Sequence, residues 1–164
     1  MYKRQYLNYA AQAALQFGSG DWTFECFAYP SAIQAQRLLD ARPSPGNGPY
    51  PTVGMNGSGN FDFTANAAVQ ITGTTVASVG TWYHVAVCRS GTSTRLFVNG
   101  VQEGSTYSDT TSYIAATNRP VIGGDGFSIG SNLWNGYIDD LRITKGVARY
   151  TSNFSVPTAE FPNS

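Results

Sequence analysis

The chain is 164 residues long and 41% apolar, with ten basic side chains against ten acidic ones and only 12% of residues charged. That length and apolar content suffice for one self-supporting core. So few and so balanced charges exclude a nucleic-acid binder that works by phosphate neutralisation, a polybasic membrane anchor and a charge-rich disordered tail.

The polar work falls to Ser, Thr, Asn and Gly, and aromatics reach 13%, a composition suited to an all-β chain with many turns. The opening MYKRQYLNYA holds two basic residues with no long apolar run behind them, so neither a signal peptide nor a membrane span is expected there. Residues 22–29 alternate: Trp22, Phe24, Cys26 and Ala28 face one way, and Thr23, Glu25, Phe27 and Tyr29 the other. Residues 36–40 form a short strand ahead of ARPSPGNGPYP, a loop that its prolines and glycines keep irregular. Residues 50–55 and 60–64 read as a hairpin about Asn56-Gly57-Ser58-Gly59, followed by a weaker strand over 69–71. In the middle of the chain, strands over 81–89 and 94–99 are joined by Ser90-Gly91-Thr92-Ser93. Asn99-Gly100 then signals a type I′ turn, and 101–103 is the return strand. Residues 120–123 and 133–144 supply the last strands. A single helical turn is expected over 145–150, and the proline-bearing end forms an extended strap over the surface, so that 145–164 closes the domain. About ten to twelve short strands with long-range returns predict one all-β domain over residues 1–164, an antiparallel two-sheet sandwich.

The segments WTFECFAYP, GTWYHVAVCRSG, TRLFVNGVQEG, VIGG and NGYIDDLRITKGVARYTSNF run in order across nearly the whole chain. Together they resemble the laminin-G-like branch of the concanavalin A-like lectin and glucanase fold. The resemblance implies a jelly-roll sandwich, and strand parity together with the place of Trp22 and Trp82 in the family pattern puts both in the core. Only residues 2–5 precede the Tyr6-Leu7 position, so the family's first strand is short or altered here. The ending ITKGVARYTSNFSVPTAEFP resembles versions of the domain found in bacteriophage tail and other virion proteins. It implies a location on the phage particle, or otherwise outside the cell, and a non-enzymatic adhesion module that binds a cell-surface glycan through rim loops. The rival reading is a structural decoration or assembly component that contacts other virion subunits, a homo-oligomer among them. A glycoside hydrolase is the third. No nucleic acid and no membrane insertion enter any of them.

Glycoside cleavage needs two carboxylates about 5–9.5 Å apart, and glucanases of this fold are similar in placing acids at alternate positions of one strand. This sequence has no acid-x-acid pair. Asp21 and Glu25 share parity but stand about 13 Å apart in a strand, and the neighbours Asp139 and Asp140 face opposite ways in a regular one. No catalytic residue is therefore assigned, and the Asp pair is read as fixing a corner through backbone amides. His84, the lone histidine, has no serine nucleophile motif to serve and reads as a strand histidine bonded to its neighbour. Pentraxins, relatives of this fold, join the two corresponding strands by a disulfide. Here Cys26 has core parity, whereas Cys88 shares a face with His84 and Ala86, opposite Val85 and Val87, so two free thiols are expected.

The resemblance also places a calcium site near the turn after VIGG, at Asp125. Calcium takes about six to eight oxygens, usually from several carboxylates, whereas this loop supplies one; Asp109, Asn118 and Asn47 are the residues that could approach, and the other reading makes Asp125 a turn cap. Sugar sites in sandwiches combine an aromatic platform with amide and carboxylate groups. Trp134, in SNLWNG, is the first platform candidate and equally a structural lid, with Tyr50 and Tyr113 behind it. Asn132, Asn135, Asn118 and Asp125 are the polar candidates. Phe27, Tyr29, Glu25 and His84 line the second face of the inner sheet, either as a groove or as a contact surface for another chain.

Overall fold

Alternating apolar and polar side chains give strands one buried face each, and two such faces must close on one another. In the computed structural model, which describes residues 6–8, 16–43, 46, 48–113 and 120–162, they do so through eleven strands. These are β1 (Leu7–Asn8), β2 (Trp22–Pro30), β3 (Gln36–Asp40), β4 (Thr52–Met55), β5 (Asn60–Ala65), β6 (Ala68–Val76), β7 (Tyr83–Ser90), β8 (Ser93–Val98), β9 (Val101–Ser108), β10 (Val121–Ile122) and β11 (Gly136–Lys145). One antiparallel sheet runs β1-β10-β3-β4-β5-β6 and the other β11-β2-β7-β8-β9. The expected all-β sandwich is present, with a first strand of only two residues.

The core lies between the sheets. Trp22, Phe24, Cys26 and Ala28 of β2 and Val85 and Val87 of β7 meet Leu39, Val53, Met55, Phe61 and Phe63 of the six-stranded sheet, all of them out of contact with solvent. Each such side chain is worth about 1.5–3 kcal/mol relative to exposure. The hairpin about residues 56–59 and the Asn99-Gly100 turn form as expected, the latter with φ of 50° and 79°, both positive as a type I′ turn requires. A side chain at Gly100 would also strike the Phe154 carbonyl, so this glycine admits the C-terminal segment to the sheet.

Two features depart from the expectation. No helical turn forms over 145–150. The backbone groups that would close it bond to β2 and the residue before it: Gly146 N–H donates to the Asp21 carbonyl, while Thr23 Oγ1 donates to the Val147 carbonyl and accepts from Arg149 N–H. The strap itself is real, and it crosses the outer face of the five-stranded sheet. Second, β11 carries a bulge: Asp139 pairs with Phe27 but Arg142 with Glu25, and Asp140 takes φ 49° between them. Asp139 Oδ1 accepts from Asp140 N–H and Asp140 Oδ2 from Phe161 N–H, so the pair fixes the bulge and pins the strap. The extra residue changes the parity of the strand and brings Arg142 to the same face as Glu25.

Candidate functional site

The outward face of the five-stranded sheet carries a row of aromatic side chains. Tyr137 of β11 is the register partner of Tyr29 of β2, and the Ala28–Tyr83 pair places Trp82 opposite Tyr29 on the other side. Tyr29 lies 5.5 Å from Tyr137 and 5.3 Å from Trp82, centroid to centroid. Trp82 is 45% and Tyr137 62% exposed. Gly136, at φ 150°, lies against the Tyr29 backbone, where any side chain would clash, and this close approach sets Tyr137 beside Tyr29. Gly80, Thr81 and Ser31 around the row are exposed, as is Asp139, two residues along β11 from Tyr137. Tyrosine and tryptophan rings left in water offer an apolar face with a polar edge, which suits stacking against the C–H face of a sugar ring.

Farther along the same face the aromatics are covered. Tyr150 and Phe154 of the strap stack on each other at 3.5 Å and pack over Ala86, Cys88 and Phe97, while Phe161 stacks on Phe27. Beneath them the fully buried Glu25 carboxylate accepts from Arg142 at 2.7 and 2.9 Å and from Tyr150 Oη at 2.8 Å, with His84 Nε2 at 3.3 Å and Arg149 Nε at 3.8 Å. Burial alone would raise the Glu25 pKa. The hydrogen bonds from His84, Arg142 and Tyr150, with the Arg142 charge, outweigh it and hold the carboxyl below its usual range. Burial pushes the Cys88 thiol up to about 11, and Cys26 lies in the main core on the opposite side of the sheet; both thiols are free. The face the sequence left open to a groove or another chain is thus sealed here by the chain's own strap.

At the rim, Asp125 does cap a turn: its Oδ1 accepts from the Phe127 and Ser128 amides at 2.8 and 3.0 Å, and its Oδ2 from the Asn132 side chain at 2.7 Å. Arg42 Nη2 stands between Asp125 Oδ1 at 3.1 Å and Asp40 Oδ2 at 2.6 Å, and the buried Asp40 also accepts from Thr52. Burial would raise the Asp125 pKa, but these amides, Asn132 and Arg42 together hold it low. This donor set does not suit the calcium ion that the resemblance implies. The oxygens are already bonded, the guanidinium stands where a cation would, and among the described residues no three His, Cys, Asp or Glu side chains gather to hold a metal. The fold does bring together two carboxylates, Asp40 and Asp125, that lie far apart in the chain. With Arg42 clamping both and Asp40 out of contact with solvent, neither is free to serve as a general acid or base.

The other expected site residues scatter. Trp134 is only 4% exposed and donates its indole N–H to the Tyr137 carbonyl, so it is a lid on the core and not a platform. Tyr113 is wholly buried, bonded to Asp109 and packed edge-on against Trp22, so neither it nor Asp109 approaches Asp125. Asn135 has its amide on Gln36 Oε1 and stands at the Tyr137 end of the β2–β11 pair, while Tyr50 is half-exposed in the proline loop. Asn118 and Asn47 lie outside the described residues. Trp82, expected in the core, is on the surface. Trp82 shares the outward face of His84, opposite Val85 and Val87, so the parity assigned to it from the sequence is misjudged and the family pattern reinforces the misplacement.

An antiparallel double-sheet sandwich of this kind is an architecture shared by many jelly rolls. The laminin-G-type family model described as the concanavalin A-like lectin/glucanases superfamily matches residues 4–149, and the chain belongs to that superfamily. Among solved structures, a Bacteroides ovatus protein provisionally described as carbohydrate-binding is similar with a TM-score of 0.68 and 18% identity, over 88% of this chain and 42% of that one. Domain 4 of an extracellular arabinanase from Geobacillus stearothermophilus, solved with arabinotriose, gives 0.64 and 15%, over 86% and 66%. The mouse laminin α1 LG4-5 domains give 0.59 and 18%, over 94% and 45%. This chain thus spans less than half of the Bacteroides protein. No curated protein matches it.

Proposed function

We propose that this chain is a non-enzymatic carbohydrate-recognition domain whose sugar contacts are Trp82, Tyr29 and Tyr137. The carrying observation is the three-ring row on a sheet face whose other aromatics, Phe27 and Phe97, are sealed by the strap. Support comes from the Bacteroides protein described as carbohydrate-binding and the arabinanase domain solved with arabinotriose, and from the clamped state of Asp40 and Asp125, which leaves neither of these two carboxylates free for hydrolysis. On the likeness of its closing segment to phage virion proteins, the domain works on a virion surface and attaches it to a host glycan, with weak single sites raised in avidity by repeated display.

A glycan array over bacterial surface polysaccharides, read with the wild type and with Trp82→Ala, tests this. Trp82→Ala lowers binding at least about tenfold, the loss of one aromatic anchor, while the variant stays folded. Equal binding by both proteins, or Trp82-dependent self-association with no glycan bound, overturns the assignment in favour of another surface or of subunit assembly.

A further inference from the structure

Resting on that reading, we infer that the row takes an internal stretch of an uncharged, extended polysaccharide, not a chain end and not an acidic glycan. Three observations carry the inference. The rings occupy neighbouring strands, so the row spans roughly 10 Å at the usual strand spacing, the scale of consecutive sugar units and not of one.

Both ends of the row are open. Tyr137 stands on β11, the edge strand of its sheet, and Trp82 adjoins the exposed residues Ser78, Val79, Gly80 and Thr81. A site for a chain terminus needs a wall against the last sugar, whereas Tyr137 at one end and residues 78–82 at the other are exposed.

The charges near the row settle its polarity. Of the cations on this face, Arg142 and Arg149 converge on the Glu25 carboxylate beneath the strap, with Arg142 also held over the Phe161 ring at 4.2 Å, and Arg95 stands opposite Cys88, toward the far end of the strand from Trp82. A charged group beside the row is the exposed Asp139 carboxylate, its residue paired with Phe27 and two positions from Tyr137. A carboxylate at that position repels uronates and sulfated sugars and is indifferent to neutral ones. Neutral stacking with hydrogen bonds also predicts little dependence on salt.

Calorimetric titration of the whole chain with mixed-linkage β-glucan and galactomannan as neutral probes, and with alginate and hyaluronate as acidic ones, tests this. The expected result is Trp82-dependent binding of a neutral polymer that changes less than about twofold between low and high salt, because no ion pair is screened. Monosaccharides bind at least about tenfold more weakly than oligomers long enough to cover the row, a loss of contact equivalent to about 1.4 kcal/mol. Asp139→Asn, which keeps an oxygen to accept from Asp140 N–H, raises alginate binding above that of the wild type. If alginate or hyaluronate binds the wild type through Trp82, or a monosaccharide binds as tightly as the polymer, this inference is overturned while the sugar-binding reading stands. If no glycan of either kind binds in a Trp82-dependent way, that reading is overturned as well.

Discussion

The outward face of the five-stranded sheet has two halves built from the same kind of residue and treated in opposite ways. Around His84, Phe27 and Phe97 the strap lays Tyr150, Phe154 and Phe161 over the sheet and makes a second small core. A few residues away Trp82, Tyr29 and Tyr137 stand uncovered. The difference lies in the strap's anchors. Gly100 and Asn153 bond it beside β8 and β9, Thr23 beside β2, and Asp140 at the bulge, and the rings it carries land on Phe27, His84 and Phe97 while Tyr29 packs with Trp82 and Tyr137. Covering aromatic surface is favourable by about 25 cal/mol per Å², so the contrast between a half left bare and a half so thoroughly closed is what the proposed sugar site rests on.

The sharpest way to break the closed half is Glu25→Ala. It strands Arg142 without its partner beneath the strap, and removing one member of a buried ion pair costs about 3–5 kcal/mol. Urea unfolding should show a loss of that size; a loss under about 1 kcal/mol would mean that the strap does not depend on the network. The same carboxylate sets an acid limb. Its folded pKa lies below the ordinary 4.5, so its stabilisation is complete above that value and is lost as pH falls through the lowered one. Glu25→Gln should therefore flatten the stability profile below about pH 4, leaving the share of Asp125, which has the same sign.

Phe154→Ala comes next. The ring is partly exposed, stacked on Tyr150 and edge-on to Phe97, so its loss costs about 2 kcal/mol, within the range for a buried aromatic or aliphatic side chain. The second half of the comparison lies in binding: if the strap only seals, the variant binds glycan as the wild type does at temperatures where it remains folded. Loss of binding at full folding would join the two halves into one site.

Much of the architecture was legible because period-2 alternation and turn chemistry are local. Residues 22–29, the hairpin about Asn56-Gly57-Ser58-Gly59 and the Asn99-Gly100 reversal announce themselves within a few residues. Cys26 and Cys88 could be put on opposite faces by parity alone. The site was less legible, for two physical reasons. Rows across a sheet join residues more than a hundred positions apart, and no local pattern says that Tyr29 faces Tyr137. The β11 bulge also shifts parity midway, so Arg142 could not be matched to Glu25 by counting. Trp134 shows a third limit, since a glycine- and asparagine-rich turn reads as an exposed rim loop whether its tryptophan points out or folds back under the chain.

Tyr137→Ser carries the smallest expected effect and tests the comparison most directly. Its ring is already largely in water, and its contribution to the fold is the cross-strand contact with Tyr29, a kind of pair worth about 0.2–1 kcal/mol. Chemical unfolding should therefore show a loss below about 1 kcal/mol, well under that of Phe154→Ala on the same face. Equal losses at the two positions would mean that the open row supports the sheet as the sealed half does. Its exposure would then be no sign of a ligand, because aromatics that stabilise a strand edge need no partner. A small loss of stability with a large loss of glycan binding separates the two halves by what each ring touches: the strap in one, a sugar in the other.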